Sequence, residues 1–121
     1  MSRRNFLEEE VVRAVLVPLV VALVSLCGPA RAEMSALERV QLASPLGTVI
    51  GSEAACGLSY DQAAIEAFIE KKVPADDMAF PSALDLMVGG TTAKIEDMSQ
   101  SAKTAHCAQV RRIARSYGFV N

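Results

Sequence analysis

Cys56 and Cys107 carry the most specific chemistry in this chain. They lie far apart and form no C-x-x-C, so neither a redox-active dithiol nor a cysteine metal site is indicated. Two thiols in a small domain outside the reducing cytosol point instead to a structural disulfide. Closing a loop of about 50 residues stabilises a fold by about 4 kcal/mol on the chain-entropy model. His106, the single histidine, stands next to Cys107. A catalytic base would need an orienting carboxylate and a nucleophile, and a metal ligand would need further donors one turn away. Lys103, Gln109 and Val110 occupy those turns. The expectation for His106 is a partly buried imidazole hydrogen-bonded near the disulfide.

Met34, Met78, Met87 and Met98 have soft thioethers that suit Cu(I), but they form no M-x-M or M-x-x-M cluster. Filling of core gaps is the commoner use of scattered methionines. His106, Met87 and Met98 are the residues that an alternative reading, a small-ligand or copper binder, would use. Arg111, Arg112 and Arg115 suit a phosphate, an anionic lipid or an acidic partner, and also suit the negative end of a helix dipole. They are the candidate partner-binding residues. Asp76-Asp77 fits a helix N-terminus better than a metal site. There is no G-x-x-x-x-G-K-[ST], G-x-S-x-G or H-E-x-x-H. No catalytic residue, metal site or cofactor is expected.

The compartment these thiols require is written at the N-terminus. A hydrophobic run, Ala14 to Cys27, is followed by Gly28-Pro29 and Ala30-Arg31-Ala32, the layout of a secretory signal peptide over residues 1–32. Cleavage after Ala32 leaves a domain that starts at Glu33. The run is shorter than the roughly 20 residues of a membrane anchor and contains Pro18. Lipid attachment at Cys27 would want a small residue before it, where Leu26 stands. Ser2-Arg3-Arg4-Asn5-Phe6-Leu7 resembles a twin-arginine export motif, with Glu8 where Lys is usual. The acidic run Glu8-Glu9-Glu10 is foreign to such leaders, and a start near Val11 or Val12 would leave an ordinary one headed by Arg13. General secretion is favoured over the twin-arginine route. Either route gives a periplasmic or secreted protein with no stable membrane anchor after cleavage.

Residues 33–121 are long enough for one domain and carry 8 Lys+Arg against 11 Asp+Glu. That acidic balance argues against a nucleic-acid partner, which needs cations for phosphates. With no Trp and few aromatics, the core is expected from Ala, Leu, Ile, Val and Met. So short a chain benefits from a covalent staple.

The elements that hold these residues read as helices throughout. Ser35-Ala36-Leu37-Glu38 is a capping box, opening a short helical segment through Leu42. Ser44-Pro45 restarts the chain as N-cap and first helical residue, in a helix that carries Leu46, Val49 and Cys56 on one face and ends at Gly57. Gly47 and Gly51, a turn apart, weaken it but admit a close neighbour. Ser59-Tyr60-Asp61-Gln62 is a second capping box; its helix bears Ile65, Phe68 and Ile69 and ends at Val73-Pro74. Asp76 or Asp77 caps the next helix, with Phe80, Leu84, Met87 and Val88 on its apolar face and Gly89-Gly90 as its stop. Thr91 or Thr92 begins the last periodic segment, which places Ile95, Ala102, His106, Cys107, Val110, Ile113, Ala114 and Tyr117 on one face, the three arginines opposite and Gly118 as the stop. The fold class is all-α: a compact four-helix domain with one disulfide that clamps the first helix to the last.

The segment from Ser101 to Ile113, with Cys56-Gly57-Leu58 and Asp76-Asp77-Met78, resembles a family of small exported alphaproteobacterial proteins of unknown function, often labelled "signal recognition particle". The resemblance implies an exported helical domain with two paired cysteines and no transferable activity. An acidic exported domain without a P-loop does not suit the label's GTPase sense. In architecture the chain is also similar to the acid-activated periplasmic chaperones of the HdeA type, which implies a holdase as a further alternative. The leading expectation is a non-enzymatic exported binding or envelope-stress module that meets an unidentified protein partner through a helical face. Mass spectrometry of the processed protein is expected to show a chain that begins at Glu33 with both thiols masked; a lipidated chain that begins at Cys27 would overturn this.

Overall fold

A computed structural model describes residues 34–121; the leader, its cleavage site and Cys27 lie outside them. Among the described residues there are four helices and no strand: α1 (Ala36–Gly51), α2 (Gln62–Lys72), α3 (Phe80–Glu96) and α4 (Gln100–Tyr117).

Local chemistry sets each start. Ser35 Oγ accepts from the Glu38 amide at 3.2 Å while the Glu38 carboxylate accepts from the Ser35 amide at 2.8 Å, the expected capping box. The chain does not restart at Ser44-Pro45. Proline breaks a helix interior by removing one hydrogen bond and crowding the carbonyl four residues back. Here Pro45 and that residue, Gln41, both face solvent, and the buried row Ala43, Leu46, Gly47 and Val49 runs straight past them. α1 ends at Gly51 rather than Gly57, and six residues of turn carry the chain through Cys56. Gly57, at φ 62°, occupies the left-handed region in that turn.

The second capping box is not formed. Asp61 caps α2 instead, accepting from the amides of Ala63 at 2.9 Å and Ala64 at 3.4 Å. Tyr60 is withdrawn from the helix because its ring is buried and its amide donates to Glu53. Asp77 takes the amides of Ala79 and Phe80 at 3.1 and 3.2 Å and so opens α3. Gly89-Gly90 does not stop that helix, which continues to Glu96. The stop falls at Asp97, and Ser99 caps α4 by accepting from the Ala102 amide at 3.2 Å. The single long segment expected from residue 91 is therefore the end of α3 plus α4. Gly118, at φ 78°, closes α4: its amide donates to the Arg115 carbonyl and that of Phe119 to the Ala114 carbonyl, a Schellman arrangement.

Two contacts set the packing. α1 and α3 run side by side in the same direction, with Arg39 beside Asp77, Gly47 against Met87 and Gly51 against Val88 and Thr91. A Cβ on Gly47 would collide with the Met87 side chain, and one on Gly51 would lie 2.8 Å from the Val88 carbonyl oxygen. The glycines set that separation. The second contact is aromatic, contrary to the expectation of a purely aliphatic core. Phe119 lies 5.8 Å from Tyr60, 5.7 Å from Phe68 and 5.4 Å from Tyr117, ring centre to ring centre. The largest fully buried side chains include Phe80 and Phe119 beside Leu46, Val49 and Val110. Few aromatics are present, and the fold places all five of residues 34–121 in or against the core. α2 has no fully buried residue and joins the rest through Ile65, Phe68 and Ile69.

Both contacts make predictions. Gly47→Ala and Gly51→Ala are each expected to lower stability by about 1–3 kcal/mol, because added volume must push a packed helix away. Gly89→Ala and Gly90→Ala, whose new Cβ would meet nothing within 4 Å, are expected to raise it by about 0.5–1 kcal/mol each in urea unfolding. Asp77 is held below the usual carboxylate range, chiefly by its hydrogen bond from Arg39 and then by the amides of Ala79 and Phe80. A depressed folded pKa means stabilisation that is whole above the unfolded value of about 3.9 and lost as pH falls through the lower folded one. The urea midpoint is expected to fall on acidification below about pH 4, and Asp77→Asn to start lower at neutral pH and fall less steeply.

Candidate functional site

The turn that follows α1 is tied to its surroundings by a disulfide and several side-chain hydrogen bonds. Cys56 is bonded to Cys107 of α4, with their Cα atoms 5.3 Å apart. Both are nearly buried. The expected bridge is present, and it joins the post-helical turn, rather than a helix end, to the middle of α4. One turn before Cys56, the wholly buried Ser52 donates its hydroxyl proton to the Thr48 carbonyl at 2.6 Å and meets His106 Nε2 at 2.8 Å. A hydroxyl has one proton, and the carbonyl can only accept it. His106 Nε2–H is therefore the donor to Ser52 Oγ, which fixes the tautomer. This is the half-buried imidazole beside the disulfide expected from sequence. On the far side, an Arg111 Nη donates to the Cys56 carbonyl at 3.3 Å.

Tyr60 completes the anchorage. Its hydroxyl donates to the Val49 carbonyl at 2.9 Å, and its amide donates to Glu53 at 2.6 Å. Burial, with a smaller contribution from the Glu53 charge, pushes the phenol up to about 12, so it remains a donor at any ordinary pH. The Asp61 amide donates to the Phe119 carbonyl at 2.9 Å, which brings the chain end to the start of α2. Bridge, histidine and arginine fix α4 against the segment from Ser52 to Cys56, and the tyrosine ties the far end of that turn back to α1.

The surface presented by this fixed helix is basic. α4 carries Lys103, Arg111, Arg112 and Arg115 and no acidic residue, although residues 33–121 as a whole have an acidic excess. Arg111, Arg112 and Arg115 are exposed. Among the described residues the one salt bridge is Arg39–Asp77, far from α4 in sequence, with the Asp77 side chain 4% exposed. The arginines are not wholly alike: Arg111 is tied to the disulfide turn, while Arg112 and Arg115 point to open solvent.

Lys103, which sequence reasoning did not single out, belongs with Arg111. The two stand one turn before and one turn after Cys107, on the row of a helix that repeats every four residues. They border a hollow of about 230 Å³ whose walls also include Ala55, Gln100, Thr104 and Cys107. The i, i+4, i+8 spacing around the cysteine was the available signal.

The methionines are dispersed. Met87 lies at the Gly47 crossing, Met34 packs on the core, Met98 is half-buried in the turn between α3 and α4, and Met78 is 83% exposed. His106 spends Nε2 on Ser52. Asp76 and Asp77 are not a pair: Asp77 holds Arg39 and caps α3, while Asp76 is exposed. Among the described residues no three His, Cys, Asp or Glu side chains gather as a metal site, and no helix is long and apolar enough to cross a membrane. Comparison of the chain with protein-family models, curated proteins and solved structures finds no match, so its chemistry is argued from its own residues.

Proposed function

We propose that this chain is a non-enzymatic binding module of the exported, oxidised compartment, which engages an acidic protein partner through the outer face of α4. The observation that carries this reading is the segregation of charge: four of the eight cations of residues 33–121 are on one helix that has no acid of its own. A lone surface ion pair contributes about 0–1 kcal/mol. A row of arginines acts differently, because its summed field steers an acidic surface into register and each guanidinium can grip a carboxylate with two parallel bonds. Rigidity adds to the effect. The disulfide turn and the aromatic cluster hold α4 before a partner arrives, so little order has to be imposed on binding.

A photo-crosslinking residue in place of Gln109, in the full chain expressed in its host, tests this. A discrete protein adduct is expected, weakened by salt and lost in Arg112→Glu/Arg115→Glu, while the melting temperature stays within a few degrees. No discrete adduct, or an adduct indifferent to charge reversal, would overturn the proposal.

A further inference from the structure

We infer that the hollow between Lys103 and Arg111 is a receptor for a single carboxylate, an Asp or Glu side chain of the protein partner. This inference rests on the binding role proposed for α4 and specifies what the partner inserts there.

Geometry comes first. Lys103 and Arg111 are eight residues apart on one helix, about 12 Å along its axis, with Cys107 between them. Both residues line the same hollow, together with Cys107. A hollow of about 230 Å³ holds a group of a few atoms rather than a cofactor. Ala55, from the turn that the Cys56–Cys107 bridge pins down, also lines it. The lining therefore combines one small apolar side chain of that turn with two cationic residues of α4.

The donor inventory points to the ligand's charge. Arg111 directs one nitrogen to the Cys56 carbonyl, an anchor that holds the guanidinium at the rim and leaves its other N–H groups for a ligand. Lys103 is half-buried, and no described carboxylate lies within salt-bridge distance of it or of Arg111. The Thr104 hydroxyl gives its proton to the Gln100 carbonyl at 2.9 Å, so it offers the hollow only a lone pair. Gln100 is also in the lining, and its side-chain amide is a neutral group able to donate. Two cations and an amide fit a planar oxyanion with two acceptor oxygens. Phosphate, with more charge and more acceptor oxygens to satisfy, fits a site with a single guanidinium less well.

The acidic balance of the rest of the molecule adds selectivity. Outside α4, residues 33–121 have 4 Lys+Arg (8 − 4) against 11 Asp+Glu, a balance that disfavours an anion elsewhere. The hollow lies on that helix, on the same four-residue row as Arg115. A partner segment lying along α4 can therefore set one carboxylate between Lys103 and Arg111 and others against Arg112 and Arg115.

The test is NMR titration of the isotopically labelled, disulfide-intact chain with the capped tripeptide Gly-Glu-Gly. Arms with Gly-Gln-Gly, acetate and inorganic phosphate run in parallel. Saturable millimolar shifts are expected at the Gln100 side-chain amide, the Thr104 amide and Arg111 Nε–H with Gly-Glu-Gly and, more weakly, acetate. Lys103→Met and Arg111→Gln should each weaken binding by about threefold or more, and the double variant should abolish saturation. Arg112→Gln/Arg115→Gln should leave the tripeptide affinity unchanged. Equal response to Gly-Gln-Gly, no saturation, or shifts centred on Arg112 and Arg115 would overturn the inference. Phosphate binding about tenfold tighter than carboxylate would reassign the hollow and overturn it too. The two proposals fail separately: a crosslink that depends on Arg112 and Arg115 without tripeptide saturation removes only the hollow, whereas saturation without a crosslink removes only the partner.

Discussion

The Cys56–Cys107 bridge is the constraint on which the rest of this small fold depends. A domain of about 90 residues has limited surface to bury, and net stabilities of about 5–15 kcal/mol are usual. Here α2 buries no residue fully, so the central packing is left to α1, α3 and α4. A link worth about 4 kcal/mol through the unfolded chain is a large share of such a margin. Its position matters as much as its size. It crosses from the turn after α1 to the middle of α4, and it lies among the Ser52–His106 and Arg111–Cys56 hydrogen bonds. After reduction the same junction would rest on those hydrogen bonds and the packing around them.

A second constraint explains why two sequence features that look like breaks are not. Gly89-Gly90 costs α3 about 1 kcal/mol per residue relative to alanine, and Pro45 costs α1 more. Both penalties are local. They are outweighed because α1 and α3 lie against each other along most of their lengths, from Arg39 and Asp77 at one end to Gly51 and Thr91 at the other. Stopping either helix would expose the face that meets its neighbour. Gly47 and Gly51 serve that contact directly; Gly89 and Gly90 face open space and gain nothing from it. Nothing in the described residues explains that second pair.

The sequence was legible where a local group has one physical use. Ser35 with Glu38, Val73 before Pro74, Gly118 and the cysteine pair each satisfy a requirement that does not depend on distant residues, and each stands as expected. It was less legible where tertiary packing outweighs a local rule. Asp97–Ser99 is three residues long, nearly one helical turn, so the apolar positions on either side keep almost the same phase and hide the break. Tyr60 was read as part of a capping box because hydroxyl and amide spacing fit; burial of its ring and its bond to Val49 pull it out. Phe68, Phe80 and Tyr117 stand on apolar helix faces in the sequence, whereas Tyr60 and Phe119 lie outside any helical period and join the core only through the fold. At the site, His106 and the arginines were visible by type. Lys103 was not, since its meaning comes from a hollow that it shares with Ala55 of a distant turn.

That turn also links stability to recognition. A basic helix in a flexible domain would attract anions without orienting them, because steering fields carry no register of their own. Register needs a fixed surface, and among the described residues Ala55, beside Cys56 in the segment tied down by the disulfide, lines the hollow with Lys103 and Arg111. Arg111 belongs to both halves of the arrangement: one N–H braces the Cys56 carbonyl while the rest face outward. On the binding role proposed for α4, charge selectivity would depend on the oxidised bridge, because the bridge holds the turn that carries Ala55.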